Sequence, residues 1–411
     1  MGATEHAGGG SGYGPGQLSD SSDGRTVLPA PRPVQGRAAL RPSGGTPLSL
    51  RCGTKGDPPR LRPTLTASRM ESIALSGERL MPVIHHTIPI FVAIATTASA
   101  LAAQTPTPVV VEYVIPRAGN FPHDPAVGAD GIVWYTDQTN SYIGRLDPAT
   151  GKITDYATPT PESGPHGITV APDGSVWYTA QRTGLLGRVN PKDGSIDEFD
   201  LPYETRNPHT PIAHQGKIWY TDANNNTYGR LDPASGKVDF WTIPTPNTRP
   251  YGLFAAPDES VWIAQLGTNQ LSRVDPASGA LREYPLPNPA ARPRRLTITA
   301  DGTVWYTDYA RGYLGALNPA TGNVREWPSP GGKDSGPYGI STGTDGRIWY
   351  DEARTGDMVA FDPKTSKMTV VPIPTAGAIV RHMVTDGARG RLWLALSGTG
   401  RIGEIDLGKP R

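Results

Sequence analysis

Cysteine is almost absent from this sequence. Cys52 is the only one among 411 residues, so no disulfide bond can form within the chain. Thiolate metal sites and thiol chemistry are excluded everywhere except at that residue. If the chain is exported, it is exported without a disulfide framework.

An excess of charge of either sign is also lacking. Lys and Arg together number 39, and Asp and Glu together number 38. Proteins that bind nucleic acid carry a basic surface that neutralises phosphates. The balance of charge therefore gives no reason to expect a nucleic acid as a partner.

The N-terminal part of the chain lacks any hydrophobic period. Residues 1–80 are rich in Gly, Pro, Ser and Arg, as in GGGSGYGPG. A segment of this kind buries too little apolar surface to offset the entropy lost on ordering. We predict that this extension is disordered or is not part of the native protein, because Met70 and Met81 are alternative starts.

A hydrophobic run long enough to span a membrane is missing as well. The apolar stretch from Ile88 to Ala98 is too short for a stable membrane span. Ala100-Leu101-Ala102 follows it with the small-x-small pattern of a signal-peptidase site. Residues 81–103 are therefore predicted to form a signal peptide, with an uncleaved anchor as the alternative, and the protein is expected to be periplasmic or secreted.

The sequence does contain one unit that is repeated seven times. Seven of its nine Trp residues follow an Ile, Val or Leu at intervals of 42 to 44 residues, and these are Trp134, Trp177, Trp219, Trp262, Trp305, Trp349 and Trp393. A period in the forties with about four short strands per copy is typical of a β-propeller. We therefore predict an all-β fold, a seven-bladed β-propeller over residues 107–408.

The ends of the repeat predict how the ring closes. We name the strands of each unit A to D, from the channel outwards, and the seventh copy stops after strand C at RIGEIDL. The missing D strand is found before the first copy, as EYVIP at residues 112–116. The N-terminal strand is therefore predicted to complete the last blade, so that no free sheet edge remains there.

A candidate site follows from the start of strand A, which faces one mouth of the central channel. The loops at that mouth vary from blade to blade, whereas the turns at the opposite face are alike, as expected of a scaffold with its site at one mouth. Four of the five His residues beyond the predicted signal peptide are assigned to this position. Blade by blade, the predicted ring is His123, His166, His209, Tyr251, Arg294, Tyr338 and His382.

The ring residues suggest separate roles. The four histidines are the candidate catalytic residues, and Tyr251, Tyr338, Arg294 and Arg381 are the candidate binding residues. Arginines gathered at one mouth would favour an anionic or carbonyl-rich ligand. The alternative is that the histidines are structural and that the arginines form a solvated rim.

A second ring is predicted three residues after each Trp, at the end of strand B. Its acidic members are Asp137, Asp222, Asp308 and Glu352. Carboxylates close to histidines can hold a divalent cation or exchange protons, so these four are the candidate metal ligands. The alternative is that they accept backbone N–H bonds within their own loops.

The repeated pattern P-H/Y-G-I-T, D-G-x-V/I-W-Y-T-D/E, G-R-L/V and E-Y-x-L/I-P resembles the virginiamycin B lyase family, the streptogramin lyases. The resemblance covers the whole predicted propeller. It implies a seven-bladed enzyme that opens the lactone of streptogramin B antibiotics by elimination, with Mg²⁺ at the channel mouth. Of the family's four active positions, His382 matches the final His, whereas Tyr338, Val380 and Ser397 stand where the family has His, Glu and Glu.

Three functions remain open from the sequence. The first is an exported lyase-like enzyme that opens a lactone or ester, with weak or absent activity on streptogramin B because of the three departures. The second is a non-catalytic propeller that binds a ligand or partner at the same mouth. The third is a metal-dependent lactonase of the gluconolactonase type. We expect a small-molecule ligand, a monomer and, by resemblance only, Mg²⁺.

Overall fold

A computed structural model describes residues 108–408 of the chain. The predictions for residues 1–80 and 81–103 concern segments outside the described residues. Within the described part, no helix is long and apolar enough to cross a membrane. Apart from two short 3-10 helices, Tyr203–Thr205 and Ser397–Thr399, its regular structure consists of β-strands.

The strands form seven antiparallel sheets of four strands each. Each innermost strand contacts the innermost strand of the next sheet, and the last one, β26, contacts the first one, β2. The sheets are therefore the blades of a closed ring around a central channel. This confirms the predicted all-β, seven-bladed β-propeller.

The two inner strands of each blade carry the residues that line the channel and the repeated Trp. Strands A of blades 1 to 7 are β2 Pro122–Val127, β6 Pro165–Val170, β10 Pro208–His214, β14 Pro250–Ala255, β18 Pro293–Ile298, β22 Pro337–Thr342 and β26 Val380–Asp386. Strands B are β3 Val133–Asp137, β7 Val176–Ala180, β11 Lys217–Asp222, β15 Val261–Gln265, β19 Val304–Asp308, β23 Ile348–Glu352 and β27 Arg391–Leu396.

The two outer strands complete each blade. Strands C are β4 Tyr142–Asp147, β8 Leu185–Val189, β12 Thr227–Leu231, β16 Gln270–Val274, β20 Tyr313–Leu317, β24 Asp357–Asp362 and β28 Arg401–Asp406. Strands D are β5 Lys152–Ala157, β9 Ile196–Asp200, β13 Val238–Thr242, β17 Leu281–Pro285, β21 Val324–Pro328, β25 Lys367–Pro372 and, for blade 7, β1 Val110–Val114.

Blade 7 joins the two ends of the described chain. Strand β1 pairs antiparallel with β28, from Val110 opposite Ile405 to Val114 opposite Arg401. The Tyr113 hydroxyl also donates to a Glu404 carboxylate oxygen at 2.7 Å. The predicted closure of the last blade by the N-terminal strand is therefore present.

The repeated Trp residues fill the joints between blades. Trp134 of blade 1, for example, packs with Ile168, Val176 and Tyr178 of blade 2 in one buried cluster. Seven clusters of this kind each contain one Trp, and the cluster around Trp393 includes Val133 and Tyr135 of blade 1. The core of the protein is thus a ring of interfaces rather than one central mass.

The Tyr that follows the Trp explains the Gly in strand C. In blade 2, a Cβ atom added at Gly187 would lie 2.0 Å from the Tyr178 ring, so only Gly allows the ring to cross strand C. The Tyr178 hydroxyl then donates to Glu198 of strand D at 3.0 Å. The W-Y, G-R and E motifs of one repeat are therefore three parts of one packing unit.

Candidate functional site

Every strand A carries an irregularity where it enters the channel. In blade 1 the pairing with strand B shifts by one residue between Pro122 and Pro125, and the same shift occurs in the other six blades. A bulge of this kind places two successive residues opposite one. Each blade therefore presents two adjacent residues at this level of the channel.

We call the first of these positions the upper ring and the second the lower ring. The upper ring consists of His123, His166, His209, Tyr251, Arg294, Tyr338 and Arg381. The lower ring consists of Asp124, Gly167, Thr210, Gly252, Arg295, Gly339 and His382.

One predicted member of the upper ring is misplaced by the sequence reasoning. The pairing of Val380 with Leu396 puts Arg381, and not His382, at the position equivalent to His123. Arg381 precedes Trp393 by 12 residues, whereas His123 precedes Trp134 by 11. The A–B hairpin of blade 7 is one residue longer, and this shifts His382 into the lower ring.

The upper ring closes the channel with side chains. The imidazole centroids of His123 and His166 are 3.8 Å apart, those of His166 and His209 are 3.9 Å apart, and the His209 and Tyr251 ring centroids are 3.7 Å apart. None of these four side chains is more than 4% exposed. The predicted histidines of blades 1 to 3 therefore form one packed stack.

The stack continues through blades 4 to 7 as an aromatic and guanidinium layer. Arg294 lies 3.8 Å from the centroid of the Tyr338 ring and donates to the Tyr251 hydroxyl at 2.9 Å. The two tyrosine hydroxyls are also hydrogen-bonded to each other. Arg381 lies 5.5 Å from the Tyr338 centroid and 5.6 Å from that of Phe121. All four candidate binding residues are thus near each other.

Burial and nearby arginines keep the histidines neutral. Loss of hydration and the positive charges of Arg381 and Arg295 lower the pKa of His123 well below its usual value of 6.5. Burial is also the main cause of the lowered pKa values of His166 and His209. A stack of neutral rings can pack without charge repulsion, which suits a structural layer.

The lower ring contains an ion pair that spans the channel. Arg295 of blade 5 donates from Nη2 to both carboxylate oxygens of Asp124 of blade 1, at 2.9 and 3.0 Å. His123 Nδ1 lies 2.8 Å from Asp124 Oδ1. Asp124 and Arg295 are each 1% exposed. This pair connects two blades that are not neighbours in the ring.

His382 is the most exposed residue of the lower ring. Its side chain is only partly buried, and burial together with the charge of Arg295 lowers its pKa to about 3. Within residues 108–408, its Nδ1 atom has no hydrogen-bond partner. The imidazole is therefore a neutral base at neutral pH.

A cavity of about 350 Å³ follows the lower ring along strands A. Asp124, Thr210, Arg295 and His382 line its closed end. Its walls combine polar residues, Thr169, Ser341 and Thr385, with the apolar residues Ile168, Ile212, Leu253, Phe254, Leu296, Ile340, Met383 and Val384. Residues at the far ends of the strands are partly exposed, among them Val170, Phe254 and Thr385, so the open space extends towards the A–B turns, away from the predicted mouth.

The four predicted metal ligands lie elsewhere, each at the last residue of its strand B, where the next loop begins. Asp222 illustrates their setting, since its Oδ2 accepts from the Asn207 amide at 2.8 Å and its Oδ1 from the Asn225 amide at 2.9 Å. Donors in the loops also hydrogen-bond to the carboxylates of Asp137, Asp308 and Glu352. The structure does not bring these carboxylates together. Their contacts fit the alternative interpretation that each one shapes its own loop.

Among the described residues, one group of three could offer metal ligands in close proximity: His123, Asp124 and His166, whose ligand atoms lie within 4.8 Å of one another. Both oxygens of Asp124 already accept hydrogen bonds from Arg295. Mg²⁺ prefers oxygen ligands and keeps several waters, and two imidazoles beside an engaged carboxylate do not offer them. This donor set does not fit Mg²⁺, and it gives the lactonase alternative no oxygen-rich ligand set.

The positions at which the sequence departs from the family pattern are structural here. Tyr338 is fully buried in the upper ring, and Val380 is 1% exposed in the core between blades 6 and 7. Ser397 is 2% exposed and donates from Oγ to the Pro122 carbonyl oxygen. Of the four family positions, only His382 faces the cavity.

Sequence reasoning missed Asp351, which breaks a repeated contact. In four blades a strand B threonine donates to the carbonyl oxygen of the next blade's upper-ring residue, as Thr307 does to Tyr338 at 2.7 Å. Asp351 is the equivalent residue of blade 6, where its Oδ1 accepts from the Gly339 amide at 2.6 Å. Its Oδ2 has no hydrogen-bond partner among the described residues, and burial raises the pKa of this carboxyl group well above its usual value.

The Asp124–Arg295 pair was missed for a different reason. Its members are 171 residues apart, and neither lies at the position that the repeat had singled out. One signal was available: Asp124 and Arg295 stand where blades 2, 3, 4 and 6 carry Gly or Thr, so each interrupts the repeat just after the upper ring.

Comparisons with known proteins agree with the fold. The model of the virginiamycin B lyase family matches residues 92–328 and 250–409. A structure of selenomethionine-substituted virginiamycin B lyase from Staphylococcus aureus is 25% identical, with a TM-score of 0.68, over 73% of this chain and 99% of that one. No curated protein sequence matches the chain.

Two further structures widen the comparison. A catalytically inactive histidine-to-alanine variant of virginiamycin B lyase from Staphylococcus aureus with quinupristin is 24% identical, with a TM-score of 0.68, over 73% of this chain and 99% of that one. The extracellular domain of a putative hybrid two-component system from B. thetaiotaomicron is 16% identical, with a TM-score of 0.57, over 71% of this chain and 42% of that one. The propeller fold is thus shared with enzymes and with domains of signalling proteins.

Proposed function

The chain belongs to the virginiamycin B lyase family, and from that premise we propose that it is a propeller that binds a small organic molecule inside its central channel. The ligand occupies the cavity beyond the upper ring and enters from the side of the A–B turns. Export of the protein and its monomeric state stay predictions from the sequence.

The observation that carries the proposal is the cavity with its polar closed end. Small-molecule sites usually measure roughly 300–1,000 Å³ and combine apolar walls with a few polar groups. The channel cavity of about 350 Å³ has walls of apolar side chains interspersed with threonine and serine, and it ends at Asp124, Arg295 and His382. A ligand with an apolar body and one polar end matches this distribution.

Binding is favoured over the family's lactone opening by the three departures. The resemblance assigns the family activity to two His and two Glu positions, and this chain has Tyr338, Val380 and Ser397 at three of them. A hydroxyl that is already bonded, an apolar side chain and a buried hydroxyl cannot replace a base or two carboxylates. We therefore expect linearisation of streptogramin B to be weak or absent.

The proposal is tested by blocking the cavity. Thr169 lines the cavity wall, so Thr169→Trp should fill the space and abolish saturation-transfer NMR signals from a mixture of small carboxylic acids, amides and lactones. Lys192→Trp adds the same ring on an exposed turn and should leave the signals unchanged. Equal signals from wild type and Thr169→Trp would place binding outside the channel.

A second candidate function, ester or lactone opening, is favoured by the setting of His382. This neutral imidazole lines the same closed end as Arg295. Elimination needs a base for the acidic C–H and a group that stabilises the departing oxygen. His382 would remove the proton from the carbon beside the one that bears the ester oxygen, the C–O bond would break to leave an alkene, and the carboxylate formed would be received by Arg295.

Liquid chromatography coupled to mass spectrometry separates this second candidate from binding alone, because a ring-opened unsaturated acid elutes apart from the intact lactone of the same mass. Elimination leaves the mass of a lactone unchanged, whereas hydrolysis adds one water. Purified protein would be incubated with quinupristin and with small model lactones, with and without Mg²⁺, beside the His382→Ala variant. Ring opening by the wild-type protein that is lost in His382→Ala would support an enzymatic function. Intact substrates in all samples would leave ligand binding as the proposed function.

A further inference from the structure

Arg295 has more hydrogen-bond donors than the described protein uses. Its Nη2 serves both oxygens of Asp124, while Nε and Nη1 have no hydrogen-bond acceptor within residues 108–408. The side chain is 1% exposed and stands at the closed end of the cavity. Buried donors of a charged group are costly to leave unpaired.

The charged side chains around this point are mainly positive. The upper and lower rings together contain three arginines, Arg294, Arg295 and Arg381, and one carboxylate, that of Asp124. Their histidines are neutral because burial and the arginines lower their pKa values. The closed end of the cavity is therefore positive, although the whole chain is balanced.

The positive charges also affect the ionisation of the Tyr338 hydroxyl group. Burial opposes ionisation of its hydroxyl, yet the charges of Arg294, Arg381 and Arg295 outweigh burial, so the pKa of Tyr338 is lowered. A negative group is thus stabilised at this level of the channel. An anion that enters the cavity meets the Arg295 guanidinium at the closed end, and Arg294 and Arg381 lie in the upper ring.

We propose that the channel ligand is a carboxylate with an apolar body and that Arg295 binds its carboxylate group, an inference that rests on the proposed binding function. The carboxylate accepts hydrogen bonds from the Arg295 donors that Asp124 does not use. The apolar body lies against Leu253, Leu296 and Ile340 of the wall. Charge-assisted bonds of this kind are about twice as strong as neutral ones.

The test compares three probes of nearly equal shape: phenylacetate, phenylacetamide and methyl phenylacetate. Isothermal titration at constant ionic strength is expected to give wild-type protein at least about a tenfold preference for the acid over the amide. Binding of all three with equal affinity would overturn the carboxylate inference and leave the channel-binding function standing. Failure of all three to bind would overturn both.

A double variant assigns the preference to Arg295. Asp124→Asn combined with Arg295→Gln removes both charges at once, so that no buried charge is left unpaired. It should keep amide binding and lose the preference for the acid. The matched control is Asp258→Asn with Arg273→Gln, which removes an exposed pair with an N–O distance of 2.8 Å and should retain the wild-type preference.

Two results would contradict the assignment even if the double variant is unstable. In isotope-labelled wild-type protein, the Arg295 Nε–H resonance should shift with phenylacetate and remain in place with phenylacetamide. An unmoved resonance in the presence of bound phenylacetate would show that another group holds the acid. A preference for the acid that persists in a folded double variant would show the same.

Discussion

The two halves of the channel are built from the same strands yet differ in content. In the upper half, His, Tyr and Arg side chains fill the axis and are buried against one another. In the lower half, apolar side chains together with threonine and serine leave a cavity of about 350 Å³. The difference shows that a conspicuous ring of polar residues can be a structural closure, while the space for a ligand lies beside it.

The largest expected effect tests whether the closed half depends on neutral histidines. The pKa values of His123, His166 and His209 are lowered well below 6.5 by burial, and that of His382 to about 3. A histidine whose pKa is lowered in the folded state contributes stability at any pH above its pKa in the unfolded chain, about 6.5. This contribution is lost as the pH falls below that value. From pH 7.5 to 5.5 each should remove about 1.4 kcal/mol, and the four together about 5 kcal/mol. Protonation of buried Asp351, whose pKa is raised, offsets part of this loss.

Urea unfolding at the two pH values measures this loss. His166→Phe should reduce this loss by about 1.4 kcal/mol, because one of the four titrating rings is gone. A free energy of unfolding that is the same at both pH values would show that the upper half accepts charged rings.

The next effect concerns the ion pair at the boundary between the halves. Asp124→Ala leaves the Arg295 charge buried without its carboxylate, which typically costs about 3–5 kcal/mol. Chemical denaturation at pH 7.5 measures the change, and Asp258→Ala at the exposed Arg273 pair should cost less than about 1 kcal/mol. Similar losses in the two variants would mean that the channel pair is effectively solvated.

A smaller effect is expected from making blade 6 like the other blades. Asp351→Thr should restore the donor that Thr307 provides in blade 5 and stabilise the protein by about 2 kcal/mol at pH 7.5. A carboxyl group with a raised pKa stabilises the fold most at low pH and loses that contribution as the pH rises. The gain in Asp351→Thr over wild type should therefore shrink towards pH 5.

The reverse substitution serves as the control. Thr307→Asp places a carboxyl group in the same setting in blade 5 and should destabilise the protein more at pH 7.5 than at pH 5. If both substitutions leave the unfolding curves unchanged, the joint between blades 6 and 7 is held by other contacts.

The smallest effect is expected in the open half. Thr169 is partly exposed in the cavity wall, so Thr169→Ala should change the free energy of unfolding by less than about 0.5 kcal/mol. The same variant should still alter ligand affinity in titration calorimetry. A clear loss of stability without any change in binding would reverse the roles given to the two halves.

The repeat made the architecture predictable. Seven Trp positions fixed the number of blades, and the missing last strand fixed how the ring closes, because both are periodic features. His382 shows where periodicity fails: one extra residue in the hairpin of blade 7 moves it by one position, and no residue type signals that insertion. The Asp124–Arg295 pair joins blades 1 and 5, so no local spacing could indicate it.

The side-chain filling of the channel was also beyond sequence reasoning. The position of a ring follows from the repeat, but whether its members point at solvent or pack together depends on their combined size. Three imidazoles less than 4 Å apart between centroids close a gap that smaller residues would leave open. The choice between metal binding and loop hydrogen bonding for Asp137 and its counterparts could be made only once their amide donors were located.

Because the closing strand is N-terminal, folding of blade 7 depends on the order in which the chain is synthesised. Tyr113 and Glu404 are 291 residues apart, so β1 leaves the ribosome first and meets its partner β28 last. During that interval β1 stays unpaired, and it carries the exposed side chains Val111 and Val114. Long-range pairing of this kind is slow and leaves edges open to aggregation. A circular permutant that carries β1 directly after β28 would turn this last encounter into a hairpin between neighbours.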